Sequence, residues 1–365
     1  MAIQITEDIS IPQKQLEKII ADPQATAKAV NLVYVSDSQE GIVRLRSGKA
    51  FKYQYRKKLL RDKAQLDRIK CLVLPPAWEN VWICAKENGH LQATGTDARK
   101  RKQYKYHHLW NQLRNQTKFY RLLQFGKALP KIREQLAKDL AKSGMPREKV
   151  LAAVVALMEK TSIRIGSGIY EKMYGSFGLT TLKNKHVNIN GSQVKFTFKG
   201  KKGIDHDISI RSKRLATIIK HCRDIPGKEL FQYYDEKGEK QSIDSGMVND
   251  YIRNIVEDDF TAKDFRTWAG TVQALAAFTE LQPFETASDA KKNIIEVLDK
   301  VAKHLGNTRT VCKKYYVHPF LLTLYEQKKL AKYMTKLPRI KSDKDTVTGM
   351  APEEKLLLKI LEKAN

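Results

Sequence analysis

Residues 187–210 read V-N-I-N-G-S-Q-V-K-F-T-F-K-G-K-K-G-I-D-H-D-I-S-I. Val187 and Ile189, then Asn190-Gly191, then Val194, Phe196 and Phe198 form a strong hairpin signal, because Asn-Gly supplies the positive φ angles that a tight hairpin turn needs. Gly200-Lys201-Lys202-Gly203 makes a second turn, and Ile204, Ile208 and Ile210 continue the alternation into a third strand. The stretch predicts a small three-stranded antiparallel sheet with Lys201 at a hairpin tip. On both sides of it the periodicity is helical.

Upstream, the pattern from Leu109 to Ala141 is helical throughout. A further helix opens at Pro146 and buries a stripe of Val150, Leu151, Val154, Val155 and Met158. Downstream, Ser245–Val256 carries Val248, Ile252 and Ile255. Thr261 is expected to cap a helix running through Arg266 to Phe278, and Ser288 one that stops at Gly306. A last helix is expected to contain Tyr316 and end near His318-Pro319. After Pro338 the chain is polar and closes on a short amphipathic helix around Leu356–Leu361.

The first hundred residues read differently. Residues 1 to about 30 resemble a polar arm with a short helical pattern. Leu32–Val35 and Ile42–Leu45 alternate like short strands, Phe51–Lys70 is basic and expected to be helical, and Val81–Ile83 and His90–Gly95 read as two more strands. The predicted class is α+β: a small, mainly β N-terminal domain (1–107), a larger, mostly helical domain containing the three-stranded sheet (108–337), and a C-terminal tail (338–365).

Charge sets the partner. The chain has 365 residues, with 67 Lys and Arg against 40 Asp and Glu, a net charge of +27. So basic a protein is expected to bind a polyanion, first of all nucleic acid. No apolar run approaches the ~18 residues of a membrane span, and Met1–Ile11 carries no signal-peptide pattern. Cys71, Cys84, Cys222 and Cys312 form no C-x-x-C pair and complete no zinc-ligand spacing, so they read as reduced thiols in a cytoplasmic protein without a metal. The most basic stretch has no acidic residue between Ala98 and Arg133, and it interleaves Arg99, Arg101 and Lys102 with Gln103, Tyr104 and Tyr106. Cations there can neutralise phosphates while amide and aromatic side chains reach bases.

Near the C-terminus, G-N-T-R-T-V-C-K-K-Y-Y-V-H-P spans Gly306–Pro319. A tyrosine hydroxyl, with an ordinary pKa of about 10, needs neighbouring cations to act as a nucleophile near neutral pH. Cleaving a phosphodiester also needs cationic donors for the non-bridging oxygens and an acid for the leaving oxygen. Arg164 after a helix, Lys201 on a hairpin tip, Arg266 in D-F-R-T-W and Asn307 nine residues before Tyr316 line up in that order. Taken singly, Arg266 reads as an ion-pair arginine, Lys201 as a solvated turn lysine and Asn307 as a helix N-cap.

Together with their flanking motifs, these residues resemble the type IB DNA topoisomerases of the small poxvirus and bacterial kind. The resemblance is carried by P-P-A-W-x-x-V-W (Pro75–Trp82), Q-A-T-G-x-D-A (Gln92–Ala98) and R-K-Q-Y-K-Y (Arg101–Tyr106). It continues through I-R-I-G (Ile163–Gly166), G-L-T-T-L-K-N-K-H-V (Gly178–Val187), Gly200-Lys201, K-D-F-R-T (Lys263–Thr267) and the Gly306–Pro319 block. It covers roughly residues 30 to 335.

The resemblance implies an enzyme that relaxes supercoiled duplex DNA through a transient 3′-phosphotyrosyl bond, without ATP, metal or other cofactor. Tyr316 matches the nucleophile, Arg164 and Arg266 the arginines that hold the scissile phosphate, and Lys201 the acid to the 5′ oxygen. Asn307 stands where poxvirus members have a histidine. Tyr170 and Lys263 match supporting residues near the phosphate, and Gln103, Tyr104 and Tyr106 match DNA contacts. Lys100 departs from the family, which has glycine there. A monomer located at the bacterial nucleoid is expected, since one chain supplies every catalytic part. Two rivals are a tyrosine recombinase, which normally shows H-x-x-R where this chain has Lys263–Arg266, and a basic DNA-binding protein without chemistry.

Overall fold

Contacts divide the chain into two units, Met1–Tyr120 and Arg121–Asn365. The computed structural model describes residues 2–6, 9–12, 19, 22–48, 50–98, 102–117, 119–334 and 349–363.

In the first unit, β1 (Ala2–Thr6) and β2 (Ile9–Pro12) pair antiparallel, where a polar arm was expected, and α1 (Pro23–Lys28) follows, capped by Asp22. An antiparallel six-stranded sheet comes next. It is built from β3 (Ile42–Ser47), β4 (Ala50–Tyr55), β5 (Lys58–Leu59), β6 (Glu79–Ile83), β7 (Leu91–Thr96) and β8 (Lys102–Tyr106), in the order β5-β4-β3-β6-β7-β8. The expected helix over Phe51–Lys70 is confined to α2 (Lys63–Cys71), which starts where the Asp62 side chain accepts from the Gln65 N–H. The residues before it hairpin onto β3, with Leu45 opposite Lys52 and Arg46 opposite Phe51.

The alternation in β3 runs against hydropathy: Val43 and Leu45 face outward while Arg44 is buried. The Arg44 guanidinium donates to the carbonyls of Pro75 (3.0 Å) and Trp78 (2.7 Å) and lies over the Phe51 ring. The double-proline segment, whose two prolines have no N–H, is anchored through the carbonyls of Pro75 and Trp78. After the sheet, α3 (His108–Thr117) buries Trp110 and Leu113 against Ala27, Val30 and Leu32.

The helical pattern read as continuous from Leu109 to Ala141 is therefore two helices. The second, α4 (Arg121–Ala141), puts its stripe into the core of the second unit. One apolar pattern serves two cores, and the chain turns at Phe119-Tyr120 between them, where the Tyr120 N–H bonds to the Thr117 carbonyl.

The second unit is organised around α5 (Arg147–Thr161). Sequence periodicity suggested a stripe, yet every residue from Val150 to Met158 is buried, as a helix apolar all round must be. Then come α6 (Gly168–Tyr174), the sheet β9 (Val187–Asn190), β10 (Gln193–Lys199) and β11 (Asp205–Arg211), and α7 (Lys213–Asp224). The sheet order is β11-β10-β9, and its inner face carries Val194, Phe196 and Phe198. A short hairpin, β12 (Gln232–Tyr234) and β13 (Lys240–Ser242), was not anticipated.

The remaining helices are α8 (Ser245–Val256), α9 (Ala262–Thr279), α10 (Ala287–Leu305), α11 (Arg309–Tyr315), α12 (Pro319–Glu326), α13 (Ala331–Met334) and α14 (Pro352–Leu361). Thr261 caps α9 as expected, while α10 starts two residues earlier than read, capped by Thr286 rather than Ser288. The α+β class and the embedded three-stranded sheet are as the sequence predicted.

Candidate active site

Four chain segments meet where α5 ends. Ser162 takes a left-handed conformation (φ 54°), which stops α5 and turns the chain so that Arg164 leaves the helix axis. Gly306 stops α10 in the same conformation (φ 59°), where glycine carries no side-chain penalty. The helix α9 presents Arg266 from its second turn, and α11 ends so that Tyr316 is the first residue past it (φ −132°). Tyr316 therefore lies beyond the helix expected to contain it. Thr308, not Asn307, is the N-cap of α11, accepting from the Val311 N–H; this leaves the Asn307 amide free for the site.

Arg164 donates from Nη2 to the Gly306 carbonyl at 3.0 Å and to Asn307 Oδ1 at 2.6 Å. Arg266 is 5% exposed and donates to the Ser162 carbonyl and, at 2.8 Å, to the Leu305 carbonyl, rather than to an acid as its lone reading had it. Its Nε is buried without a hydrogen-bond partner. Its guanidinium lies 5.2 Å from the centre of the Tyr316 ring, a cation–π distance. The Tyr316 backbone is fixed in turn: its carbonyl accepts from Thr271 Oγ1 (3.1 Å), and its Cβ packs against Gly270. The neighbouring Tyr315 is partnered instead by Lys314, 5.4 Å from its ring centre.

The electrostatics follow from two guanidiniums in a partly dry corner. Burial, then the charge of Arg266, lowers the Arg164 pKa to about 10. Burial also lowers that of Arg266. Cys312 lies in the same corner, and burial pushes its thiol up to about 11 against the pull of both arginines. The corner is cationic at neutral pH, and it suits an anion such as a phosphodiester.

Lys201 stands in a 3-10 turn between β10 and β11, exposed, with Nζ 5.6 Å from the centre of the Tyr170 ring. Tyr170 is about half exposed on α6, and Lys263 is exposed in the first turn of α9. The structure thus brings together Arg164, Arg266, Asn307 and Tyr316, with Lys201 and Tyr170 as a second pair. In the first unit, Gln103 Nε2 donates to Asp97 at 2.9 Å, Tyr104 stacks on Tyr106, and Lys102 is ion-paired with Asp37. Arg99 and Arg101, with Lys100, lie outside the described residues.

Sequence reading missed His206. It lies on β11 opposite Phe198 and on the same face as Ile208 and Ile210, packed beside Gly306. A histidine in register with inward isoleucines was the available signal. His304 is exposed and meets Ser162 Oγ at 3.3 Å, and His318 caps α12, accepting from the Phe320 N–H. The four cysteines are free thiols. Among the described residues, no helix is long and apolar enough to cross a membrane.

Comparison with known proteins bears on the same residues. The profile described as the eukaryotic DNA topoisomerase I catalytic core matches residues 102–344, and that of the bacterial DNA topoisomerase IB N-terminal domain matches residues 50–97. The chain is 33% identical over 298 residues to DNA topoisomerase 1B of Acanthamoeba polyphaga mimivirus, covering 79% of this chain and 88% of that protein. It is 24% identical over 244 residues to DNA topoisomerase 1B of Vaccinia virus (strain Copenhagen), covering 66% and 74% respectively. With a family profile spanning most of its length and a relative matched nearly end to end, this chain belongs to the type IB DNA topoisomerases.

Proposed function

We propose that the protein relaxes supercoiled duplex DNA by cutting and resealing one strand through Tyr316. The phenolic oxygen attacks the scissile phosphorus and its proton passes to solvent. The bond from phosphorus to the 5′ oxygen breaks, and that oxygen leaves with the electron pair and a proton from Lys201. Arg164 and Arg266 hold the two non-bridging oxygens as negative charge builds on them, and Asn307 donates a further hydrogen bond. The 3′-phosphotyrosyl bond conserves the energy of the cleaved ester, so rotation of the free end needs no ATP. Attack by the 5′-hydroxyl then reseals the strand, and no metal enters any step.

The observation that carries this reading is the Arg266 guanidinium over the Tyr316 ring. The guanidinium stands beside the attacking residue, where it can meet the incoming phosphate. The choice of Tyr316 over Tyr315 rests on its cation being Arg266 of the arginine pair, where Tyr315 has Lys314, and on its spacing of nine residues from Asn307. Duplex DNA as partner fits the net charge of +27. Residues 1–107 are assigned to DNA binding, 108–337 to catalysis and 338–365 to a tail, in a monomer working at the nucleoid.

The test is covalent trapping. Wild-type protein mixed with nicked or supercoiled DNA and quenched in detergent should yield a protein–DNA adduct, and Tyr316→Phe should bind duplex DNA with unchanged affinity but yield none. An adduct formed by Tyr316→Phe would overturn the assignment. Relaxation of a plasmid that lacks paired recombination sites separates this reading from a recombinase.

A further inference from the structure

We propose that His206 is a positioning residue that ties the Lys201 hairpin to the turn carrying Asn307 and the contact of Arg164. The inference rests on the reading of Lys201 as proton donor to the leaving 5′ oxygen.

His206 sits on β11 directly across from Phe198 and stacks on its ring, with centroids 4.9 Å apart and planes 16° from parallel. Its imidazole is wedged between two glycines. A Cβ added at Gly200 would stand 2.5 Å from Nε2, and one added at Gly306 would stand 2.6 Å from Cε1. Both distances are far inside van der Waals contact, so the ring fills the space that any side chain at either position would need. Gly200 immediately precedes Lys201, and its N–H bonds to the Ile204 carbonyl at 2.7 Å to close the tip. Gly306 immediately precedes Asn307, and its carbonyl holds Arg164 Nη2. One flat side chain therefore touches the roots of the proposed acid and of the phosphate-binding turn.

The chemistry explains why such a spacer matters. A proton donor must come within about 3 Å of the leaving oxygen, and a misplacement of about 1 Å can cost on the order of 10²-fold in rate. Lys201 is exposed on a hairpin tip, where a flexible side chain gains no such precision from its own packing. Burial and the charges of Arg164 and Arg266 hold the imidazole below the ordinary histidine range, so it adds no third cation at neutral pH.

The experiment compares two substrates in single-turnover cleavage at a position mapped with wild-type protein. One is an ordinary duplex, and the other carries sulfur in place of the 5′ bridging oxygen. A thiolate leaves without protonation, since thiols are far more acidic than alcohols. Lys201→Ala serves as reference and should be slow on the oxygen substrate but restored on sulfur. His206→Ala is expected to cleave the oxygen substrate about 10- to 100-fold more slowly, to approach wild type on the sulfur substrate, and to bind DNA unchanged. Equal slowing on both substrates, or no slowing on either, overturns the proposal while leaving the Tyr316 reading intact. If the alanine variant does not fold, His206→Asn, which keeps a polar side chain but is too short to fill the space between the two glycines, is read in the same assay by the same criteria. Failure of wild type to form an adduct, or of Lys201→Ala to recover on sulfur, overturns the functional reading itself and this inference with it.

Discussion

Arg164 Nη2 donates to Asn307 Oδ1 at 2.6 Å, and the other end of that amide points back to the Leu305 carbonyl at 3.4 Å. Asn307 thus acts as an acceptor that aims a guanidinium. A phosphate oxygen would need it as a donor, so the amide has two available roles. Asn307→Ala should slow strand cleavage by about tenfold, the scale of one neutral hydrogen bond. Asn307→Asp should do worse, about 10²-fold or more, because its carboxylate would pair with Arg164 and repel the phosphate. Rapid-quench cleavage of a labelled duplex measures both. An aspartate variant as active as the alanine variant would mean that Arg164 does not meet the phosphate.

Arg164 and Arg266 find carbonyl and amide oxygens as partners, and the Nε of Arg266 finds none. The lowered pKa of Arg164 records its burial first and the nearby charge of Arg266 second. An oxyanion between the two should offset that charge. Sulfate at about ten times its dissociation constant would add about 1.4 kcal/mol, or roughly 2–4 °C in melting temperature, beyond sodium chloride of equal ionic strength. Arg164→Ala and Arg266→Ala should lose that increment and also lose 10²- to 10³-fold or so in cleavage rate. An unchanged increment in both variants would assign it to general exclusion of sulfate from the surface.

What could be read beforehand divides along physical lines. The hairpin with Lys201 at its tip was legible because turn chemistry and alternation are local. Helix ends were legible where a cap made them so, as at Thr261 and Gly306. Tertiary demands were not. The apolar pattern through Leu109–Ala141 hid a switch between two cores, and β4 won Phe51–Tyr55 from the helix reading because β3 offered it a partner. Motifs located Arg164, Arg266, Asn307 and Tyr316, but not the carbonyls of Ser162 and Leu305 that hold Arg266, since a carbonyl has no letter in a sequence. His206 was missed because its register with Ile208 and Ile210 marks only an inward side chain, and its place between Gly200 and Gly306 is set by tertiary packing.

Gly270 tests how closely Tyr316 must be held. It lies mid-helix in α9, where alanine normally stabilises by up to about 1 kcal/mol. Here an added Cβ would meet the Tyr316 carbonyl at 2.7 Å and the Tyr316 Cβ at 3.0 Å. Gly270→Ala is expected to keep the fold, bind DNA normally and cleave at least tenfold more slowly, because the tyrosine must shift by several tenths of an ångström. Cleavage at the wild-type rate would show that the arm carrying Tyr316 adjusts freely.

The C-terminal helix provides the last prediction, through a carboxylate far in sequence from the side chains it touches. Glu354 is 7% exposed and takes a bidentate pair from Arg133 at 2.7 and 2.8 Å, one bond from Trp268 Nε1 at 3.0 Å and one from the Ala351 N–H at 2.9 Å. Burial pushes its pKa up, but these donors outweigh burial and hold it below the ordinary carboxylate range. Arg133 also serves Glu159, with a single-oxygen contact, and there burial prevails and the pKa is raised. Removing Glu354 leaves Arg133 to Glu159 and the indole N–H without its acceptor, so Glu354→Ala should cost about 1–3 kcal/mol in urea unfolding at pH 7. The sign with pH follows from the lowered value. The contribution is complete above the unfolded glutamate pKa of about 4.3 and disappears as pH falls through the folded one. Glu354→Gln should therefore unfold with a shallower acid limb than wild type. Because Trp268 lies two residues from Arg266 on α9, Glu354→Ala should also slow cleavage, though by less than Arg266→Ala. A variant with wild-type midpoint and wild-type acid limb would mean that α14 adds nothing to the catalytic unit.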